Sequence, residues 1–313
     1  MRIAIFGTGG VGGYFGGRLA QAGEEVVFIA RGDHLAALRN RGLHVESLKG
    51  DFVVHPAQAT DDPVHVGAVD AVLVGVKAWQ VPDAAQAMRS LIGPETFVVP
   101  LQNGVEAPTQ LAAVLGTQQV LGGLCSIISF IAGPAHILHT GAEPSIAFGE
   151  LDNRPSDRAE QLRQAFARAN VKVEIPPDIH VAMWEKFLFI ASWGGVGTVT
   201  RAPVGVVRSV PGVRQMLLEA LHEIIQVGAA QQIALSEESM RKAMAFIDSL
   251  QPDSTASMQR DIMEGRPSEL EFQNGTVVRL GREVGVPTPV HTFLYHSLLP
   301  SELRARGRLP LPE

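Results

Sequence analysis

Two kinds of hydrophobic pattern divide the chain. In the first half, short runs of apolar and β-branched residues alternate with helical stretches, and most of these runs are apolar throughout. Such runs are typical of parallel strands that helices cover on both faces of a sheet. The pattern predicts an α/β fold with a doubly wound parallel sheet, whose strands span residues 2–6, 25–30, 71–76, 97–100, 119–124 and 145–148.

A hairpin and a proline pair complete the predicted first domain. Residues 43–48 and 52–55 flank a Lys-Gly-Asp turn, which indicates a hairpin. A last strand is predicted over residues 171–175, and Pro176 and Pro177 follow it. Two prolines cannot continue a strand ladder or enter a helix interior, so the chain is expected to change domain there.

Helical periodicity replaces the strand patterns after the two prolines. Residues 213–233, for example, carry an apolar stripe at helical spacing. We therefore predict a Rossmann domain over residues 1–176 and an all-α domain over residues 177–313.

Composition excludes several classes of function. The chain has 313 residues, 46% of them hydrophobic, and a net charge of -6 without the dense basic stretches that nucleic-acid binding requires. It has no charge-free apolar run of about 18 to 20 residues, and its start does not resemble a signal peptide, so we expect a cytoplasmic protein without a membrane partner. One cysteine excludes an internal disulfide, and the histidines show no metal-binding spacing, so we expect no metal site.

A glycine-rich turn directly follows the first predicted strand and opens a helix. Its sequence matches the G-x-G-x-x-G pattern of dinucleotide-binding folds, in which the glycines allow a tight turn, a close backbone approach to the pyrophosphate and close helix packing. The helix N-terminus then offers free amides to the phosphates. A turn that serves packing alone is the alternative. The predicted cofactor-binding residues are Gly7, Thr8, Gly9, Gly10, Val11 and Gly12.

Arg31 indicates which dinucleotide is bound. It ends the second predicted strand, where an NAD enzyme would carry an acid for the ribose hydroxyls. An arginine attracts the 2′-phosphate that distinguishes NADP from NAD, and its planar guanidinium donates two hydrogen bonds to such a group. The sequence therefore favours NADP(H), with a solvent-exposed arginine that binds nothing as the alternative.

Three further polar residues are candidates for the chemistry. Lys77 and Asn103 follow two predicted strands at the sheet edge where open α/β folds bind ligands, although either is also compatible with an ordinary loop. Lys186 lies in a strongly apolar helical segment, with aromatic or aliphatic residues expected on nearly all sides. A lysine kept from water has its ammonium form disfavoured and donates a proton more readily, whereas a side chain extended to the surface is the alternative.

Together these features resemble the ketopantoate reductase family (2-dehydropantoate 2-reductases). The likeness rests on the glycine turn, on Arg31, on the late block from Ser257 to Glu269, and on the segments Val-Lys-Ala-Trp-Gln at 76–80, Gln-Asn-Gly at 102–104 and Trp-x-Lys at 184–186. The resemblance implies a Rossmann domain joined to an all-α domain like the C-terminal domain of 6-phosphogluconate dehydrogenase, with NADPH in the first, a 2-oxo acid between the two, and a possible homodimer.

The resemblance also implies roles for individual residues. Lys186 would be the general acid that protonates the carbonyl oxygen, and Glu269 would hydrogen-bond the same region and the cofactor. Ser257 would help to hold the substrate. Lys77 and Asn103 would position both cofactor and substrate. The local sequence suits this, because Ser268 is expected to cap a helix whose first turn contains Glu269.

Three positions depart from the family pattern. Typical members carry substrate-binding asparagines where this chain has Ile190, Gly194 and Val204. The reaction expected is reduction of a small 2-oxo acid, with ketopantoate and hence pantothenate biosynthesis as the first candidate, but the departures leave the substrate open. The alternatives are a related 3-hydroxyacid or 6-phosphogluconate type dehydrogenase and a non-catalytic NADP(H)-sensing protein.

Overall fold

The structure divides into two units. The computed structural model describes residues 1–309, apart from the side chain of Ala142. The first unit comprises Met1–Gln102 and Glu106–Ala182, and the second comprises Asn103–Val105 and the chain from Met183. Residues 310–313 of the predicted second domain lie outside the described range. The division falls later in the chain than the predicted boundary at residue 176, because a long helix already begins in the first unit.

The first unit combines strands with helices. In chain order its strands are β1 (Arg2–Phe6), β2 (Glu25–Ile29), β3 (Leu43–Ser47), β4 (Phe52–Val54), β5 (Gln58–Thr60), β6 (Ala71–Val74), β7 (Phe97–Pro100), β8 (Leu121–Gly133), β9 (His136–Glu150) and β10 (Lys172–Glu174). Its helices are α1 (Gly10–Gln21), α2 (Gly32–Arg41), α3 (Val81–Ala87), α4 (Ala107–Leu115) and α5 (Asp157–Arg168).

A parallel sheet in the order β5-β2-β1-β6-β7 confirms the predicted doubly wound fold. Strands β1, β2, β6 and β7 were predicted, and they are buried along almost their whole length, as strands covered on both faces must be. Strand β5 was not predicted. It is short, polar and at the edge of the sheet, where it pairs only with β2, so no apolar run marks it in the sequence.

A second sheet has the order β10-β9-β3-β4, and β8 pairs antiparallel with β9. The antiparallel pair β3–β4 confirms the predicted hairpin. The strands predicted over 119–124 and 145–148 overlap β8 and β9, which pair in this sheet, although Val120 just before β8 forms a parallel bridge with Val98 of β7. The remainder of β8 is mostly exposed or half-buried, and serines interrupt its apolar residues, so its full length was not predicted as a strand.

Helix α1 is held close to the parallel sheet, which fixes the turn before it. Its inner face carries Phe15 and Leu19, both fully buried. A Cβ on Gly16 would lie 2.5 Å from Ile5 Cγ1 and 2.9 Å from Phe28 Cε1, so a larger residue would push the helix away.

Helices alone form the second unit among the described residues, which confirms the predicted all-α domain. The long helix α6 (Ile179–Thr200) enters this unit at Met183. The others are α7 (Val204–Ser209), α8 (Pro211–Ala230), α9 (Glu237–Ser249), α10 (Ser257–Met263), a π-helical turn (Glu271–Gly275), α11 (Thr276–Val284) and α12 (Pro289–Ala305). None of the helices in residues 1–309 has the length and apolar content needed to cross a membrane.

The core of the second unit forms around α6. Phe187, Leu188 and Ala191 on this helix are buried and pack in one cluster with Leu221 and Ile224 of α8. Two polar side chains of α6 are buried as well, so the core encloses polar as well as apolar residues of this helix.

Candidate active site

The glycine turn between β1 and α1 has the geometry of a dinucleotide-binding turn. Gly7 has φ +98°, which favours glycine, and its amide donates to the Ile29 carbonyl at 3.2 Å. A Cβ on Gly9 would have no atom within 4 Å, so the backbone there is open to a ligand, whereas a Cβ on Gly12 would overlap the Gly7 carbonyl. The three glycines thus allow the tight turn, the open backbone and the close packing that the pattern predicts.

The N-terminus of α1 offers amides without a capping side chain. Gly9 is the N-cap residue, no side chain caps the helix, and no acid lies in the first turn. The buried Thr8 hydroxyl donates instead to the Ile29 carbonyl at 3.2 Å, which ties the turn to β2. Free amides and the positive end of the helix dipole favour an anion such as a pyrophosphate. Val11, also in this first turn, is partly buried.

Strand β8 also borders this turn, a neighbour that was not predicted. A Cβ on Gly10 would overlap the backbone of Ser129 and Phe130 in β8. Position 10 therefore requires glycine for packing, in addition to any approach of a cofactor.

Arg31 lies at the carboxyl end of β2, next to the glycine turn. It is the N-cap residue of α2 and is exposed. Among the described residues, no acid forms an ion pair with its guanidinium, which leaves the group available to a phosphate.

Lys77 and Gln102 lie where β6 and β7 end. Lys77 is exposed, and its Nζ lies 5.8 Å from the centre of the Trp79 ring. The buried Gln102 carboxamide donates to the Val74 carbonyl at 2.8 Å and to the Val76 carbonyl at 2.9 Å. Gln102 thus fixes the loop that leads to Lys77 against the end of the neighbouring strand.

Asn103 and Glu269 come together in the second unit. The Asn103 carboxamide donates to Glu269 Oε2 at 3.1 Å, although the two residues are 166 positions apart. Gly104 makes this approach possible, because it has φ +102° and a Cβ there would lie 2.9 Å from the Phe272 carbonyl oxygen. Two residues that the sequence marked separately therefore share one site.

Ser268, which directly precedes Glu269, is held by Glu302 and Arg306, neither of which was predicted as a site residue. The buried Glu302 on α12 accepts hydrogen bonds from the Ser268 amide at 3.0 and 3.1 Å and from the Ser268 hydroxyl at 2.5 Å. Arg306 Nε donates to Glu302 at 2.5 Å, and Arg306 Nη2 donates to the Ser268 carbonyl at 2.8 Å. A Glu and an Arg four residues apart in a helix usually indicate a surface pair, so the sequence carried no signal for this role.

The cap predicted at Ser268 is present in altered form. The Ser268 hydroxyl accepts a hydrogen bond from the Leu270 amide at 3.2 Å, as a capping side chain does. However, the following turn is π-helical and begins at Glu271, so Glu269 precedes the helix instead of lying in its first turn.

A buried polar network fixes the π-helical turn within the second unit. Asn274 Nδ2 donates to the Ala191 carbonyl of α6 at 3.1 Å and to His291 Nδ1 at 3.0 Å. His291 Nε2 in turn donates to the Ala220 carbonyl of α8 at 3.0 Å. Burial lowers the pKa of His291 to about 4, so the imidazole is neutral near pH 7, as both hydrogen bonds require.

Lys186 is less enclosed than predicted. It is half-buried on α6, between the half-buried Glu185 and the buried Phe187. Glu185 accepts a hydrogen bond from Ser239 Oγ at 3.0 Å and lies 3.8 Å from Lys242 Nζ. The Lys186 side chain is therefore partly accessible to solvent, which differs from the enclosure that the sequence predicted.

The departures from the family pattern have different surroundings. Ile190 is half-buried and Gly194 is buried, both on α6 after Lys186. Val204 is completely buried in the core of the second unit. Ser257 is exposed at the first position of α10. Position 204 is therefore a packing position here.

Comparisons with known proteins agree over nearly the whole chain. Two family models match: "Ketopantoate reductase PanE/ApbA" over residues 3–153 and "Ketopantoate reductase PanE/ApbA C terminal" over residues 178–301. The chain is 30% identical to "Uncharacterized oxidoreductase YkpB" of Bacillus subtilis (strain 168), over 95% of this chain and 98% of that protein. The crystal structure of 2-dehydropantoate 2-reductase from Geobacter metallireducens GS-15 is 30% identical, with a TM-score of 0.88 over 96% of this chain and 99% of that one.

A structure of a differently named enzyme has the same fold. The ternary structure of D-mandelate dehydrogenase with NADH and anilino(oxo)acetate has a TM-score of 0.88 over 98% of this chain and 100% of that one. Its sequence identity is 22%, so this likeness establishes the fold alone.

Proposed function

The chain belongs to the ketopantoate reductase family, whose members are oxidoreductases that act on CH–OH groups, and we propose that it reduces a small 2-oxo acid to the 2-hydroxy acid with NADPH. The observation that carries this proposal is the hydrogen bond between Asn103 and Glu269, which unites two predicted site residues. Ketopantoate, also called 2-dehydropantoate, is the first substrate to test. Its reduction would place the enzyme in pantothenate biosynthesis.

The residues of the first unit fit an NADP dinucleotide. The glycine turn presents uncapped amides and an open backbone at Gly9, and Arg31 is available for the 2′-phosphate. Lys77, at the carboxyl edge of the same sheet, is proposed to contact the cofactor as well. When bound, NADPH supplies a hydride to the carbonyl carbon of the substrate.

We assign proton transfer to Lys186. Its ammonium group would donate a proton to the carbonyl oxygen, and its charge would stabilise the alkoxide that develops there. Asn103 restricts the orientation of the Glu269 carboxylate by its hydrogen bond, and Asn103 and Glu269 together are proposed to contact cofactor and substrate. Ser257 is proposed to hold the substrate.

The direct test is NADPH oxidation with ketopantoate and a panel of other 2-oxo acids. We expect turnover with at least one acid, and Lys186→Ala should lower kcat by about 100-fold or more while the Kd for NADPH stays nearly constant. Lys242→Ala, an exposed lysine of the same unit, is the matched control and should leave kcat unchanged. Silence across the panel with intact NADPH binding would contradict the proposal and favour a cofactor sensor.

Two observations favour a 2-oxo acid other than ketopantoate as a second candidate. Ile190 and Gly194 offer no amide where typical family members carry one, so the same panel must extend to acids with apolar substituents. We further propose a cytoplasmic homodimer with neither nucleic acid nor membrane as partner. Sedimentation equilibrium of the purified protein measures the assembly.

A further inference from the structure

The space beside Gly194 in the second unit holds a buried carboxamide. A Cβ built on Gly194 would lie 3.2 Å from Gln273 Oε1, 3.4 Å from Met258 Cε and 3.8 Å from Ala256 Cβ. Gln273 is only 2% exposed. Because Gly194 follows Lys186 at helical spacing on one face of α6, the carboxamide lies along the face that carries the proposed acid.

The π-helical turn determines which side chains are presented here. Its defining hydrogen bond runs from the Gly275 amide to the Leu270 carbonyl at 3.0 Å, and the wider turn changes the direction of the side chains that follow Glu269. Asn274 points into the buried network with His291. Gln273 points instead toward Gly194.

The Gln273 carboxamide has no hydrogen-bond partner among residues 1–309, whereas its neighbour Asn274 donates twice. Neither polar atom of this carboxamide is among the fully enclosed atoms that lack a partner, so both can be reached by a small polar group. The other side chains beside Gly194 are apolar, since Met258 and Ala256 are both buried. Such a group is expected to find its partner in a ligand.

We propose that Gln273 is a substrate-specificity residue whose carboxamide hydrogen-bonds a single hydroxyl or carbonyl group on the substituent of the 2-oxo acid. The inference rests on the proposed function and specifies its substrate class: a 2-oxo acid whose substituent is apolar apart from one hydrogen-bonding group. Met258, which lies beside the same space at Gly194, contacts the apolar part of that substituent.

A matched pair of substrates isolates this hydrogen bond. Ketopantoate and trimethylpyruvate differ only in the terminal hydroxyl of the substituent. The wild type should favour the hydroxylated acid by about tenfold or more in kcat/KM, which corresponds to one hydrogen bond. Gln273→Leu should reduce this ratio to near unity, mainly through the KM for the hydroxylated acid. Gln215→Leu, the same change at an exposed position of α8, should leave the ratio unchanged.

A second variant separates recognition from packing. An asparagine at position 194 would start 3.2 Å from the Gln273 oxygen, so Gly194→Asn alone should lower kcat/KM by crowding. Combining Gly194→Asn with Gln273→Ala makes room and returns an amide to the same space from α6. The double variant should recover a preference for the hydroxylated acid that Gln273→Ala alone lacks.

The outcomes distinguish a failure of the role of Gln273 from a failure of the proposed function. A wild type that reduces 2-oxo acids but prefers no hydroxylated one, or a Gln273→Leu variant with the wild-type ratio, overturns the role of Gln273 and leaves the proposed function standing. A wild type that reduces no 2-oxo acid, with NADPH binding intact, overturns the proposed function and this inference together. Circular dichroism melting of each variant confirms that it is folded.

Discussion

Replacing Glu302 tests whether α12 holds the candidate site residue Glu269 in place. Glu302 is 4% exposed, and its carboxylate accepts hydrogen bonds from the amide and hydroxyl of Ser268 and from Arg306. Glu302→Gln keeps the shape of the side chain. It removes the charge and one acceptor oxygen, so the amide of Ser268 and the guanidinium of Arg306 compete for the one remaining carbonyl oxygen.

The expected magnitude follows from burial. A hydrogen bond to a charged group contributes about 1.5–3 kcal/mol, and breaking a buried ion pair by removing one partner costs about 3–5 kcal/mol. The Arg306 side chain is 17% exposed and is therefore partly solvated, which places the loss near the lower end. We expect Glu302→Gln to lower the free energy of unfolding by about 3 kcal/mol and the Tm by roughly 5 °C.

Two assays measure the two consequences. Urea denaturation gives the free energy of unfolding, and steady-state kinetics with the best 2-oxo acid should show kcat/KM lower by about tenfold, because Glu269 directly follows the loosened Ser268. Glu238→Gln is the matched control, since its partner Arg241 lies on the same exposed helix face and such pairs contribute less than about 1 kcal/mol. A Glu302→Gln variant as stable and active as this control would show that Glu302 does not hold Ser268 and Glu269 in place.

Three further predictions concern pH and the cofactor. The pKa of His291 falls from 6.5 to about 4 on folding, so the unfolded state takes up a proton first as the pH drops. The stabilisation by neutral His291 is complete above about pH 6.5, and about 3 kcal/mol of it is lost by pH 4. Urea titrations at several pH values measure this loss, and His291→Gln should reduce it. Arg31→Ala should raise the KM for NADPH about tenfold or more and leave that for NADH nearly unchanged in steady-state assays. Gly12→Ala should abolish NADPH binding in a fluorescence titration, because a Cβ there overlaps the Gly7 carbonyl.

Strong local patterns made much of the first unit predictable. The strands around Gly7 are predictable from their unbroken apolar runs, and the turn is predictable from the glycines that its backbone geometry requires. By contrast, β5 pairs at a sheet edge through a polar tripeptide, and the outer part of β8 is largely exposed. Their positions depend on tertiary pairing, for which a single sequence carries no periodicity.

The candidate site was predictable only residue by residue. Asn103 was marked by its position after a predicted strand and Glu269 by resemblance, but their hydrogen bond depends on the close approach of Gly104 to the π-helical turn. Glu302 and Gln273 were missed for a physical reason. Both belong to sequence patterns that are usually found on protein surfaces: an acid near an arginine in a helix, and a glutamine next to an asparagine. Only the structure shows that these two side chains are buried, where polar groups need partners.

Isotope transfer tests whether the enzyme moves a hydride from NADPH to the carbonyl carbon of a 2-oxo acid. The purified enzyme is given a reducible 2-oxo acid and NADPH that carries deuterium at C4 of the nicotinamide, with each face labelled in a separate reaction, and the product is analysed by mass spectrometry. The account predicts a 2-hydroxy acid with deuterium at its carbinol carbon from one labelled face and none from the other. A product unlabelled from both faces, or no 2-hydroxy acid at all, would contradict hydride transfer to a 2-oxo acid.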